Sequence, residues 1–480
     1  MSGSHDDRRR VKIVATLGPA SANPGTAEAL ARAGVGVFRL NAAHLKPEEI
    51  GPHVELVRGV ERAMGRPLAV FCDLAGPKLR VAKSAERRTL VDGSPVSVGG
   101  PGTGAEVAVD GIDPVRECPA GSRILIHDGK VVLRVTAPSG AAVRAEVVRG
   151  GEVGPGMGVN LPDVETSLPS LTAHDLACLA AALGAGVDAC SLSFVRRAED
   201  VTALREHMSG LGRVVPVIAK LEKAQSVTES ALGPILSAAD IVMVARGDLG
   251  AETSPEMVPV LQKRILQAAR AGGVPTITAT EMLESMIHEP RPTRAEANDV
   301  ANAVFDGSDA VMMSAETAVG DHPAIAAAAC ARIVAEAERH PEFRTAWAAA
   351  PCHAAAPDPV SDAVAEAAAE AAAYLGATTV VCFTRSGRTA RLVARHRPPA
   401  PILALTPRIE VARALALVWG VTPRVVAEQP DDHEEVVHLA EREARSEGLA
   451  AAGDLVVVTH GAPVASQSLT NLMRIHRVQG

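Results

Sequence analysis

Short runs of Val, Ile, Leu and Ala recur along the chain and are separated by helical stretches. The runs are VKIVATL (11–17), VGVFRL (35–40), LAVFCDL (68–74), VDACSLSF (187–194), VVPVIAK (214–220), DIVMVAR (240–246), VPTITAT (274–280) and DAVMMS (309–314). Near-continuous apolarity implies burial on both faces, the signature of parallel strands covered by helices. Val214 to Ala219 read as such a strand along their whole length. Eight strands alternating with helices predict a closed (β/α)8 TIM barrel.

The interval 79–160 has a different grain. Gly/Pro punctuation (GGPGTG, PAGS, GPGMG) separates short alternating strands such as RILIH and VVLRV. This predicts a small β-rich domain inserted after the third barrel strand, so the barrel occupies 1–78 and 161–350. An acid-rich helix and APCHAAAPDP then close the barrel near residue 357. From 357 to 480 the alternation resumes in TTVVCF (378–383), PILAL (401–405), TPRVV (422–426) and DLVVVTH (454–460), a separate open α/β domain.

Composition trims the possibilities. A chain of 480 residues exceeds one compact core. A formal charge of −8 argues against general nucleic-acid binding. No apolar run approaches a membrane span, and MSGSHDDRRR lacks an apolar secretory segment, so a cytoplasmic protein is expected. The seven cysteines form no Cys-x-x-Cys pair and read as reduced thiols.

The barrel strands end on polar groups: Thr16, Arg39 with Asn41, Asp73, Ser193 with Arg196, Lys220 with Glu222, Arg246 with Asp248, Thr280, and Ser314 with Glu316. Active sites of such barrels form at the carboxyl ends of the strands. Glu222 and Asp248 end adjacent strands. They suit Mg2+ or Mn2+ completed by water and substrate oxygens, and equally suit rim salt bridges with Lys220.

Other motifs are open to bland readings. Gly247 before Asp248 lets backbone N–H groups approach an anion, although Arg-Gly-Asp is usually only a turn. Thr293 and Glu296 form a helix-capping box. His44 either contacts phosphate or packs. GGPGTG lacks a following helix and a Lys-Ser/Thr pair, so it is a turn. TRSGRT (384–389) follows a strand and opens a helix, where Thr384, Ser386, Gly387, Arg388 and Thr389 suit either a phosphate or an exposed cap.

Several blocks together resemble pyruvate kinase: TLGPAS (16–21), FRLNAAH (38–44), GVNLPDV (158–164), VIAKLEK (217–223), MVARGDLG (243–250), TRSGRTARLVARHRP (384–398), and the long block from Thr278 to Pro323. The resemblance implies transfer of a phosphoryl group from phosphoenolpyruvate to ADP. Glu222 and Asp248 would hold Mg2+ or Mn2+. Lys220 would face the transferring phosphoryl and the developing enolate, and Arg39 the phosphoryl oxygens. Gly247 and Asp248 N–H groups would take the substrate carboxylate, and Thr280 would stand on the protonated face of the enolate. Asn41, His44 and Arg80 would meet nucleotide phosphates, and the inserted domain would close as a lid. A homotetramer and a phosphorylated effector at the TRSGRT loop are also implied.

The chain departs from the potassium-dependent pattern of that family. Ala43 stands where a Ser is usual, and Leu74 and Lys78 replace Thr and Glu in the Asp-Thr-Lys-Gly-Pro-Glu block. Lys78, grouped with Asn41 and Asp73, would supply a built-in ammonium at the monovalent-cation site, so K+ is expected to be unnecessary. Ala75 and Met157 replace two lysines, and Ala315 and Val319 replace Gly and Lys. The loop GAPVASQSL (461–469) lacks a basic effector residue. These losses motivate a second reading, a non-catalytic paralogue sensing a phosphometabolite. A third, another Mg2+ barrel enzyme acting on oxo-acids, leaves the lid and last domain unexplained.

Overall fold

A computed structural model of the chain describes residues 9–164, 166–340, 358–427, 430, 432–461 and 469–479. Eight parallel strands close into a barrel: Lys12–Leu17, Val37–Asn41, Ala69–Leu74, Ala189–Leu192, Val217–Leu221, Ile241–Ala245, Thr276–Ala279 and Ala310–Met313. The last pairs with the first, Ala310 opposite Lys12. One expectation needs correction. The fifth strand starts at Val217, and Val214 is 54% exposed. Pro216 has no N–H to donate to the ladder, and its carbonyl, which accepts the Cys190 N–H at 3.0 Å, is where the run joins the sheet.

Two apolar layers hold the barrel. Val14, Val37, Phe71, Ile218, Met243, Ile277 and Met312 fill its interior, and a second, larger cluster lies between strands and helices. With few aromatic rings available, β-branched and Met side chains do the filling. Ala416 and Leu417 of the last domain join the interior cluster. That domain therefore seals one end of the barrel and leaves the carboxyl ends of the strands as the accessible rim. Helix ends follow local chemistry. The capping box at Thr293 and Glu296 is present, and Gly307 ends the same helix at φ 114.

The insertion forms its own closed sheet of seven short strands, the first Leu79–Val81 and the last Gly158–Asn160. Alternating residues such as Val131, Leu133, Val135, Val143, Ala145 and Val147 face a separate apolar core. Met157 packs against that core, and GGPGTG is a turn.

The last domain is a five-stranded sheet. Val421–Val425, Ile402–Thr406, Thr379–Phe383 and Leu455–His460 run parallel, and Leu472–Arg477 pairs antiparallel at the edge. The edge strand escapes a search for apolar runs because its residues are mostly polar or half-exposed. The seam to the barrel carries an Arg413–Glu61 ion pair, Arg397 to Asp309 at 3.1 Å, and Lys12 Nζ donating to the Val421 carbonyl at 2.7 Å. The break near residue 357, most of the 461–469 loop and the first eight residues lie outside the described residues. Among those described, no helix is long and apolar enough to cross a membrane. The six described cysteines are free and buried.

Candidate active site

The fifth strand carries Lys220 and Leu221 to the rim, and Glu222 follows immediately. Period-two alternation puts Lys220 and Glu222 on the same, inward side. Lys220 Nζ donates to Ser193 Oγ at 2.7 Å and lies 3.3 Å from Glu222 Oε2 and 3.6 Å from Asp73 Oδ1. Burial opposes its charge, but Asp73 and Glu222 outweigh burial and raise its pKa above the ordinary lysine value. The amine is therefore an ammonium throughout the neutral range.

Glu222 is fully buried, and burial pushes its carboxyl up to about 7, Lys220 opposing and Asp248 adding to the rise. Its Oε1 accepts the Phe194 N–H at 2.7 Å. Its Oε2 has no hydrogen-bond partner. Asp248, in the short helix Arg246–Glu252 after the sixth strand, is reached by Lys78 Nζ at 3.0 Å. A buried carboxylate oxygen lacking a hydrogen bond, beside a second carboxylate, fits a hard divalent ion. Among the described residues no group of three or more His, Cys, Asp or Glu could hold a metal, so water and substrate oxygens would complete the shell.

Arg39 and Asp73 are joined across neighbouring strands. Arg39 Nε donates to Asp73 Oδ2 at 2.7 Å and its Nη1 to Thr16 Oγ1 at 3.1 Å. Burial would raise the Asp73 carboxyl, but Lys220 and Arg39, with the Ser191 hydroxyl, hold it below the usual range. Asp73 thus fixes both cations.

Thr280 has φ +70, backbone that β-branched residues rarely adopt, and Glu281 follows at φ +55. Arg246 holds this turn, donating to the Thr280 carbonyl at 2.5 Å and to Asp299 at 2.7 Å. Thr280 Oγ1 accepts the Gly247 N–H at 2.9 Å. The Gly247 amide expected to meet a substrate carboxylate is therefore occupied by the threonine hydroxyl.

The expectations for Lys78, Arg196 and Glu316 change. Lys78 does not gather with Asn41 and Asp73: its ammonium sits on Asp248, Asp73 is taken by Arg39, Ser191 and Lys220, and Asn41 Oδ1 accepts the Ala43 N–H at 3.2 Å. Lys78 lies beyond the end of the third strand at Leu74, and its stem passes Gly158, where a Cβ would stand 3.3 Å from Lys78 Cε. Arg196 turns away to the Thr166 and Leu168 carbonyls, and buried Glu316 accepts the Leu283 and Ser314 N–H groups. His44 is exposed, and Arg80 donates to the Gly156 carbonyl at 2.9 Å within the lid.

In the TRSGRT loop the Thr384 hydroxyl accepts the Gly387 N–H at 2.9 Å and the Ser386 hydroxyl the Arg388 N–H at 3.4 Å. Thr389 pairs with Thr470 at 2.5 Å, and Arg388 stands 3.7 Å from Asp358. The hydroxyls shape the loop itself.

Sequence reasoning missed a buried link between lid and barrel. Lys223 Nζ donates to Glu252 Oε1 at 2.7 Å, and Asn160 of the last lid strand donates to the same oxygen at 2.8 Å. Lys223 adjoins Glu222, and Glu252 shares a helix with Asp248, so the link spans both candidate ligand elements. Its only sequence signal is the placement of Lys223 and Asn160 within blocks noted for other residues.

A β/α barrel with an ammonium, an arginine and two carboxylates converging at its open end defines an enzyme site suited to small anionic substrates. The comparisons with known proteins narrow this. Residues 8–327 match the model of the pyruvate kinase barrel domain, and 362–476 that of the pyruvate kinase alpha/beta domain. The chain is 40% identical over 472 residues to a pyruvate kinase of Methylorubrum extorquens, covering 97% of each chain. It is 40% identical over 474 residues to one of Mycobacterium tuberculosis, covering 98% of each. It is 38% identical over 476 residues to one of Geobacillus stearothermophilus, covering 98% of this chain and 80% of the relative. The chain belongs to the pyruvate kinase family.

Proposed function

We propose that the chain transfers the phosphoryl group of phosphoenolpyruvate to ADP, giving pyruvate and ATP, with a divalent ion. The observation that carries this reading is the convergence of Lys220, Glu222 and Asp248 at one end of the barrel. Glu222 and Asp248 would hold Mg2+ or Mn2+, which when bound neutralises phosphoryl and carboxylate oxygens. Lys220 keeps its proton and stabilises charge on the transferring phosphoryl and then on the enolate oxygen. Arg39 orients the phosphoryl oxygens. Thr280 stands at the enolate carbon, and its hydroxyl, through water, passes the proton that completes pyruvate. Gly247 and Asp248 amides receive the substrate carboxylate once the Thr280 hydroxyl gives way. Asn41, His44 and Arg80 address the nucleotide phosphates as the lid, taken as 79–160, closes and excludes water. The barrel segments are taken as 1–78 and 161–350, and the effector domain as 357–480, with a phosphorylated effector at Thr384, Ser386, Gly387, Arg388 and Thr389. A homotetramer is part of the same reading. Nothing favours a non-catalytic role.

The test is pyruvate formation from phosphoenolpyruvate with Mg2+, with and without ADP. Product that requires ADP is expected; turnover without nucleotide, or none with any nucleoside diphosphate, would remove the reading.

The same reading makes K+ dispensable. Lys78 brings an ammonium to Asp248, so positive charge beside the phosphates does not depend on a bound monovalent ion. Rates in K+-free and K+-containing buffer at matched ionic strength are expected to agree within about 2-fold, well short of the ~10-fold that one lost charged contact costs. Strong activation by K+ contradicts it.

A further inference from the structure

We propose that the turn Ser193–Phe194, which leaves the fourth barrel strand, is a positioning clamp that holds Lys220 and Glu222 as a single unit. This deepens the kinase reading and rests on it.

Two consecutive residues grip the two functional side chains of the neighbouring strand. The Ser193 hydroxyl donates to the Leu74 carbonyl at 2.7 Å, so its proton is committed and its lone pairs face Lys220 Nζ, also at 2.7 Å. The Phe194 N–H donates to Glu222 Oε1 at 2.7 Å. This fixes the carboxylate plane and leaves Oε2 without a hydrogen bond. Lys220 and Glu222 are thus held in a defined relation before substrate arrives.

The clamp has an uncommon backbone conformation. Phe194 has φ +56, which large L residues seldom adopt. That twist brings the Phe194 amide to Glu222 directly after the Ser193 hydroxyl has met Lys220. The turn also lies against Gly76, at φ +68, where a Cβ would stand 2.9 Å from Phe194 Cδ2 and 3.1 Å from Ser193 Cβ. Only glycine admits this approach. Gly76 is itself tied by its N–H to buried Asp175 at 3.2 Å. The loop from the third strand therefore backs the turn, and the turn backs the fifth strand.

Two variants test the clamp, one through a single arm and one through the whole turn. Ser193→Ala removes the acceptor for Lys220 and leaves the Phe194 amide on Glu222. Its kcat should fall about 10–100-fold, the scale for lost outer-shell partners. KM for phosphoenolpyruvate, Mn2+ affinity measured by paramagnetic titration, and melting temperature should stay near the parent's. Gly76→Ala presses on the whole turn and touches neither functional side chain, so it should weaken Mn2+ binding about 10-fold as well as lower kcat. Unchanged kcat in Ser193→Ala overturns the proposal. So does a parallel loss of kcat, Mn2+ affinity and melting temperature in that variant, which marks ordinary destabilisation. Should the parent make no pyruvate, the kinase reading fails, while Mn2+ affinity in Gly76→Ala still tests the grip on Glu222.

Discussion

Lys220→Met is expected to lower kcat by ~10²–10³ and leave Mn2+ affinity within a few-fold of the parent's, since one preorganised electrostatic stabiliser is typically worth that much in rate. Methionine keeps most of the unbranched stem and removes the ammonium, and with it both the charge and the hydrogen bond to Ser193. In the parent, Asp73 and Glu222 keep the ammonium charged, so it needs no proton from solvent during the reaction. It is already in place when negative charge develops, and no reorganisation is required at that moment. Binding of the metal should survive because Glu222 Oε1 remains on the Phe194 amide and Asp248 is held from another direction by Lys78. The variant relieves Glu222 of its nearest cation, which slightly favours a divalent ion over the missing ammonium. Single-turnover phosphoryl transfer and Mn2+ titration, measured on the same preparation, check the two halves. Retained turnover removes Lys220 from the chemistry. Loss of Mn2+ binding would instead make it a structural counter-ion.

The barrel was legible because burial on both faces leaves a chemical trace: eight runs dominated by Val, Ile, Leu and Ala, with charged residues gathered near their ends. The polar residue ending each run then marks the rim, and Lys220, Glu222 and Asp248 were found that way. The final edge strand, Leu472–Arg477, was invisible for the converse reason, because one open edge and partial exposure relax the demand for apolar residues. Partner choice was also hidden. Asp73 could pair with Lys78 or with Arg39 and Lys220 as far as sequence goes. The side-by-side placement of strands two to five decides for the latter, and Lys78 reaches Asp248 instead. Arg246 and Glu316 show the limit of reading rim residues as chemistry. Both end strands as a catalytic group would, yet both are buried in holding the turns around Thr280 and Ser314. Ser193 is readable as a rim residue, but its pairing with Lys220 and the grip of the Phe194 amide on Glu222 act through geometry that no residue pattern encodes.

Glu222→Gln should separate function from stability in the opposite sense. The carboxamide keeps the volume, and its oxygen can still accept the Phe194 N–H, but its NH2 then faces Lys220 and the metal position. Mn2+ affinity is expected to fall at least about 10-fold, and turnover with it, because even an outer-shell loss costs that much. The metal-free protein should melt at a higher temperature than the parent at pH 8. The reason lies in burial, which lifts the Glu222 carboxyl to about 7 from its ordinary 4.5. Between those values the folded chain keeps a proton that the unfolded chain has released, and the stability this contributes is lost as pH rises through 7. At pH 8 the metal-free parent therefore carries a desolvated charge that costs it up to about 3 kcal/mol, a gap the neutral amide avoids. Lys220 keeps Asp73 as counter-ion at 3.6 Å, which limits the offset from losing Glu222. Adding Mn2+ should reverse the order, raising the parent's melting temperature and leaving the variant's nearly unchanged, since an ion that binds only the folded state stabilises it in proportion to its affinity. Equal Mn2+ shifts in the two proteins would show that Glu222 is not a ligand. A lower melting temperature in the metal-free variant would show that the Lys220–Glu222 pair, and not the metal, is what the buried carboxylate serves.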